Sequence, residues 1–429
     1  MKIRHLRWYV AALLFASTVI NYIDRQTLSV VAPVLTRELN ISPTEYGYIL
    51  QSFLAAYTIM YVVSGILVDR WGTKASLAAF VGWWSVSNVL HVLARSATQM
   101  AVFRFLLGVG EPGNYSAAGR AASEWYPPKE RAFINGLANA GSALGAIIAT
   151  PLVVWVTARY GWRSAFVVTG AMGLVWVVLW LFLYELPERH RRITPEELAL
   201  IQEGSESSLT APHVQWAQLW VRRDIWGLLI ARFFSDPVWW FYLFWMPKYL
   251  VENRGFTLVE LGLFAWLPYL TSDIGSIAGG YLSGKLLARD WRAVDARYAA
   301  MLPAALFMPA SIGIAFVHSS ALALALICAI TFCHMIWKTN LMTITNDLFP
   351  VEWVGSVSGI VSLGSGLGGI LFMNFTGRMV EALSYGTVFV IMGFLHPAAF
   401  LACRFMVPGT PVTTQNSVEQ PLPMYAPRK

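Results

Sequence analysis

Eight charged side chains lie inside otherwise apolar stretches of the chain: Asp24, Arg25, Arg104, Glu111, Arg232, Asp236, Asp273 and Lys338. A charge at the centre of a bilayer costs roughly 2.5–3.5 kcal/mol on insertion scales, so each is a candidate functional group. Arg104 and Glu111 are seven residues apart. On one helix they share a face about 10.5 Å apart along the axis, too far for a direct pair and suited to lining one cavity. Asp24 and Arg25 are adjacent, so their side chains diverge by about 100°. Arg232 and Asp236 are four apart and placed to neutralise each other; Pro237 then interrupts the backbone ladder. Lys338 stands near the end of its stretch, where its stem can snorkel, whereas Asp273 falls near the middle of its own. The eight formal charges sum to zero, so four structural ion pairs are the competing reading.

Burial favours the protonated form of a carboxyl group and a nearby cation favours the ionised form. A site that balances the two takes and releases a proton near neutral pH. Arginine keeps its proton, and its planar fork matches a carboxylate in two parallel bonds. Asp24 and Glu111 are therefore expected to carry protons, and Arg25 and Arg104 to hold an anion. Each charge lowers the cost of burying the other, which couples the two. Aromatic faces stack on sugar C–H groups and their polar atoms bond hydroxyls. Tyr57 and Tyr61, one turn apart, and Trp239, Trp240 and Tyr242 after Pro237 suit that task. Packing against neighbouring helices is the competing role for these rings. For His334, Asn340 and Asn374 it is helix–helix hydrogen bonding. Ser142 and Gly145 suit close helix packing.

The elements that must position these groups are membrane spans. The 429 residues are 56% hydrophobic and only 13% charged, about half the charge of a soluble domain. That excludes a soluble enzyme, a disordered chain and a nucleic-acid module. A bilayer core about 30 Å thick needs roughly 20 apolar residues per helix. Twelve such stretches run at about 8–35, 44–68, 74–94, 97–119, 132–158, 164–184, 225–250, 257–288, 297–317, 321–346, 353–380 and 385–406. The expected architecture is an all-α membrane protein of twelve transmembrane helices in two pseudo-symmetric six-helix bundles. The units are 1–184, a cytoplasmic loop 185–224, 225–407 and a disordered cytoplasmic tail 408–429. In the loop, Thr194-Pro195-Glu196-Glu197 predicts a short helix at about 195–203, with Thr194 as its cap and Glu197 closing a capping box. With both termini placed inside, twenty of the 31 Lys and Arg fall at cytoplasmic ends and seven in outer loops, the asymmetry of a cytoplasmic-membrane protein. That distribution accounts for the net charge of +7 without a nucleic-acid partner.

Gly65-Ile66-Leu67-Val68-Asp69-Arg70-Trp71-Gly72-Thr73-Lys74 joins the second and third spans. Its glycines allow a tight turn and Asp69 can pair with a cation, so Gly65, Asp69, Arg70 and Gly72 form a candidate conformational gate. This run resembles the G-x-L-x-D-R/K-x-G-R/K signature of the major facilitator superfamily. Arg104-Phe105-Leu106-Leu107-Gly108-Val109-Gly110 resembles a second signature, and Gly279-Gly280-Tyr281-Leu282-Ser283-Gly284-Lys285 is an echo of the first without its Asp. Asn21-Tyr22-Ile23-Asp24-Arg25, Arg104 with Glu111, and Ser123-Glu124-Trp125-Tyr126-Pro127 look like the anion:cation symporter family. Arg232 to Leu250 look like its hexuronate branch. The resemblance implies import of a sugar-acid anion, a hexuronate first, together with protons across the inner membrane by alternating access. It also implies substrate roles for Arg25 and Arg104, proton roles for Asp24 and Glu111, and favours Asn374 over His334 and Asn340. Other organic acids (galactonate, glucarate, an aromatic acid), a proton/drug antiporter and a non-transporting sensor are the alternatives. No phosphate-binding loop, metal spacing or catalytic constellation is present in the sequence, so no cofactor, metal or enzyme activity is expected, and nothing requires more than a monomer.

Overall fold

The computed structural model describes residues 5–202, 216–349 and 351–407; the tail predicted to be disordered lies outside them. All regular structure among the described residues is helical. The first half holds α1 (Leu6–Glu38), α2 (Pro43–Trp71), α3 (Thr73–Leu90), α4 (Ala97–Gly110), α5 (Gly113–Trp125), α6 (Pro128–Tyr160) and α7 (Trp162–Leu183). Two short helices follow, α8 (Pro195–Gln202) and α9 (Trp216–Trp220). The second half holds α10 (Arg223–Phe244), α11 (Met246–Arg254), α12 (Leu258–Phe264), α13 (Leu267–Leu287), α14 (Ala293–Phe307), α15 (Ser311–Phe316), α16 (Ser320–Leu348), α17 (Val351–Ala382) and α18 (Tyr385–Met406).

Nine helices among the described residues are long and apolar enough to cross a bilayer. The other three spans are α4 with α5, α10 with α11, and α12 with α13. These carry Arg104 and Glu111, Arg232 and Asp236, and Asp273, five of the eight charges; Asp24 and Arg25 lie on the unbroken α1 and Lys338 on α16. The stretch expected as one helix over 97–119 is thus two. Pro112 has no N–H for the Gly108 carbonyl, and α4 ends at Gly110. The halves repeat one pairing scheme. Spans one with five, two with four and three with six pack together as α1–α6, α2–α4 and α3–α7. Their counterparts in the second half are α10–α17, α13–α16 and α15–α18.

One end of the molecule carries the start of α1 and the α2–α3 turn; the far end carries the α1–α2 turn. The halves are sewn together at the far end. Tyr46 donates to the Phe244 carbonyl (2.9 Å), Arg378 to the Tyr48 hydroxyl (3.0 Å), Lys248 to Thr36 (3.3 Å), and the Thr44 amide to Glu381 (3.0 Å). The α2–α17 seam stays closed to mid-depth, where a Cβ on Gly366 would strike Thr58. Past that point it parts. Gly65 continues the row of α2 (Gly47, Leu54, Thr58) that faces α17, and a Cβ on it, or on Gly355 or Gly359 of α17, would meet nothing within 4 Å.

The loop helix forms where its cap predicts, with the Glu197 amide bonded to Thr194 Oγ1 at 3.3 Å. The capping box does not close as expected. The Glu197 carboxylate instead takes the amides of Leu6 (2.9 Å) and Arg7 (3.1 Å), at the N-terminus of α1, whose own N-cap residue, His5, makes no side-chain cap bond. A carboxylate there satisfies two orphan donors and faces the positive end of the helix dipole.

Candidate functional site

Two close backbone approaches bring the first-half charges together. A Cβ on Gly145 would lie 2.5 Å from the Val19 carbonyl, so α6 rides directly on α1; a Cβ on Gly108 would lie 2.5 Å from the Phe53 carbonyl, so α4 rides on α2. Between them sits Arg25, only 2% exposed. Its Nε and Nη2 both donate to Glu111 Oε2, at 2.8 and 2.5 Å. Nη2 also reaches Asn21 Oδ1 (3.1 Å) and the Tyr57 hydroxyl (3.2 Å). The guanidinium lies 4.6 Å from the Tyr22 ring centre and 4.9 Å from that of Tyr57. Glu111 stands at the break between α4 and α5, and its Oε1 has no hydrogen-bond partner. Asn21 bonds the Glu111 carbonyl (3.4 Å) and Asn114 bonds Thr18 (2.9 Å), which fixes the break against α1.

Arg104 is equally buried and differently used. Nη2 donates to the Arg25 carbonyl at 2.9 Å, while Nε and Nη1 have no partner. The side chain lies 5.6 Å from the Phe53 ring centre. Two buried donors left unmade are costly, more so on a charged group. An incoming carboxylate offers the acceptors they lack.

Asp24 does not join this cluster. It points, as its adjacency to Arg25 requires, toward α3 and α7, where Oδ1 accepts from Asn88 Nδ2 at 2.6 Å. Asn88 also bonds Thr169 at 2.7 Å. Of the two carboxylates expected beside two arginines, Glu111 bonds Arg25 directly, while Asp24 bonds neither arginine and acts on Arg104 and Glu111 only through its charge. The reading of four structural ion pairs fails as well. Arg25 pairs with Glu111, and Arg232 pairs with Asp236 (2.8 Å) while bonding Ser362 (2.8 Å). Arg104 and Asp24 have the uncharged partners just described; among the described residues Asp273 shows neither hydrogen bond nor ion pair; and Lys338 lies 5.5 Å over Trp239.

Tyr57 and Trp240 meet edge to face across the seam at 6.5 Å, and Trp240 stacks on Phe244. Trp239 stacks on His334, which bonds His396 at 3.0 Å. Asn374 bonds Gln51 across the halves (3.1 Å) and Asn340 bonds the Gly279 and Ile336 carbonyls. Asp69 pairs with Arg120 (3.2 Å), which also holds Glu124 (3.0 Å) and the Val68 carbonyl (2.9 Å). Gly72 takes a φ of 76°, a conformation suited to glycine. Beside that turn Lys74 pairs with Glu185 (3.0 Å) and holds its carboxyl below the usual carboxylate range. Asn88, Thr169, Phe53 and His396 were missed from sequence. Asn88 and His396 carry the signal that singled out His334, a polar side chain in an apolar span.

The profile of the Major Facilitator Superfamily matches residues 14–373. The chain is 33% identical over 432 residues to a hexuronate transporter of Escherichia coli strain K12, covering 99% of this chain and 100% of the relative. It is 37% identical over 284 residues to a galacturonate transporter of Dickeya chrysanthemi, covering 66% of this chain and 82% of that one. Among solved structures a D-xylose–proton symporter superposes with a TM-score of 0.74 at 14% identity, covering 94% of this chain and 99% of that chain. The paired six-span halves and the matching profile agree: the chain belongs to the Major Facilitator Superfamily and is a multi-pass membrane transporter, not an enzyme.

Proposed function

We propose that the protein imports a sugar-acid anion, a hexuronate, across the inner membrane together with protons, by alternating access. The observation that carries this reading is Arg104, a buried guanidinium with two unpartnered nitrogens beside an Arg25 that is already held by Glu111. When Glu111 takes a proton, its hold on Arg25 weakens, and both guanidiniums can close on one carboxylate. Cargo and proton thus favour each other's binding. Asp24, held by Asn88 and within electrostatic reach of Glu111 and Arg104, acts as a second proton site, and Tyr57 and Trp240 offer faces for the sugar carbons. Both termini lie in the cytoplasm on the distribution of Lys and Arg, so the parted end of the α2–α17 seam faces inward. Residues 1–184 and 225–407 move as bundles, with Gly65, Asp69, Arg70 and Gly72 at the gate, and the transporter works as a monomer. The names of the two relatives support a uronic acid as cargo.

Uptake of radiolabelled galacturonate into proteoliposomes with an imposed pH gradient tests the reading. Accumulation should require the gradient. Unlabelled glucuronate should compete better than galactonate, glucarate or an aromatic acid. Gradient-independent uptake, or stronger competition by another acid class, contradicts it.

A further inference from the structure

A cavity of about 580 Å³ opens between α14 and α18, at the end of the molecule that carries the start of α1 and the end of α18. Its rim holds Arg292 and Arg404, flanked by the exposed Trp291. The neighbouring Arg297 is paired with Asp347. Among the described residues Arg292 and Arg404 form no ion pair, and Arg404 lies 5.8 Å from the Tyr298 ring centre. Asp295 also lines the cavity, but it sits in the first turn of α14, where it offsets the helix dipole. Two guanidiniums thus face one carboxylate. The floor is apolar, and Leu302 is ten residues from Arg292, about 15 Å deeper along the helix axis. Phe400 lies one turn deeper than Arg404, about 6 Å along α18.

We infer that this groove binds an anionic phospholipid, with the phosphate between Arg292 and Arg404 and one acyl chain along Leu302 and Phe400. A cationic rim at the interface and an apolar channel running toward the bilayer centre reproduce the polarity gradient of such a lipid. A sugar acid or free phosphate has no use for the apolar length. Trp291 stands where an indole anchors at the headgroup level. The site is remote from Arg104 and does not depend on the nature of the cargo.

Lipid binding to the full-length protein in detergent, read by native mass spectrometry, tests the assignment with phosphatidylglycerol and phosphatidylethanolamine as probes. The unmodified protein should prefer phosphatidylglycerol by roughly five-fold or more, and Arg292→Gln with Arg404→Gln should abolish that preference. Ala299→Trp, which fills the groove and leaves both arginines, should weaken phosphatidylglycerol binding by a similar factor. Each variant is scored as monodisperse protein. Unchanged binding in either variant overturns the inference, the second outcome reducing the site to surface charge. Displacement of the lipid by millimolar inorganic phosphate overturns it as well, since the groove would then be a phosphate site.

Discussion

Arg104 and Arg25 show how differently two buried guanidiniums can be employed. Arg25 is held through Nε and Nη2 by Glu111, Asn21 and Tyr57, whereas Arg104 spends one donor on a backbone carbonyl. Arg104→Ala should therefore weaken galacturonate binding at least roughly thirty-fold, the loss of two charge-assisted hydrogen bonds; calorimetric titration showing near-normal affinity would remove Arg104 from the site. Glu111→Gln keeps an acceptor for Arg25 but cannot cycle a proton. It should cut gradient-driven accumulation sharply while sparing downhill counterflow, and undiminished accumulation would move the coupling group elsewhere. Which charges are buried was legible from their placement in apolar runs for six of the eight, Asp273 and Lys338 being only partly buried. Their pairing was legible only for Arg232 and Asp236, which share a helix. Arg25 and Glu111 are 86 residues apart in sequence, and Asp24 finds an uncharged Asn88 that no charge count reveals.

Helix ends carry much of the behaviour of the elements. Glu197 belongs to α8 yet caps α1, so the central loop is fastened to the first half. Glu197→Ala should cost about 1–2 kcal/mol and speed hydrogen exchange at the Leu6 and Arg7 amides; unaltered exchange there would show that the cap is dispensable. A sequence pattern names a capping carboxylate's nearest helix, and tertiary proximity chose another. The α4–α5 break, by contrast, is written in the sequence: Glu111-Pro112-Gly113-Asn114 interrupts the apolar run and α5 is far less apolar than α4, but a reading by span length bridges it. The open face around Gly65 and Gly359 belongs to a seam that must close when the far end opens. Gly65→Leu or Gly359→Leu should obstruct that closure and slow transport roughly ten-fold or more with cargo affinity retained. Normal turnover in counterflow would show that the seam does not close there.

Across the whole molecule, twelve spans followed from span length, which a bilayer dictates, and the kinship of the halves from the echo of the Gly65–Lys74 run at Gly279–Lys285. The pairing scheme needed the structure, because nothing in an apolar run names its neighbour. That scheme leaves the seam fastened at one end and parted at the other, with Arg104 and the Arg25–Glu111 pair buried in the first half beside α2. Coupling between cargo and proton is what the proposed function asks of this arrangement. The direct measurement is the pH of a weakly buffered suspension of proteoliposomes when galacturonate is added without an imposed gradient. The external medium should turn alkaline as cargo enters; Arg104→Ala should abolish the change, and Glu111→Gln should reduce it to the share that Asp24 carries. Galacturonate entry with no proton movement would contradict the account.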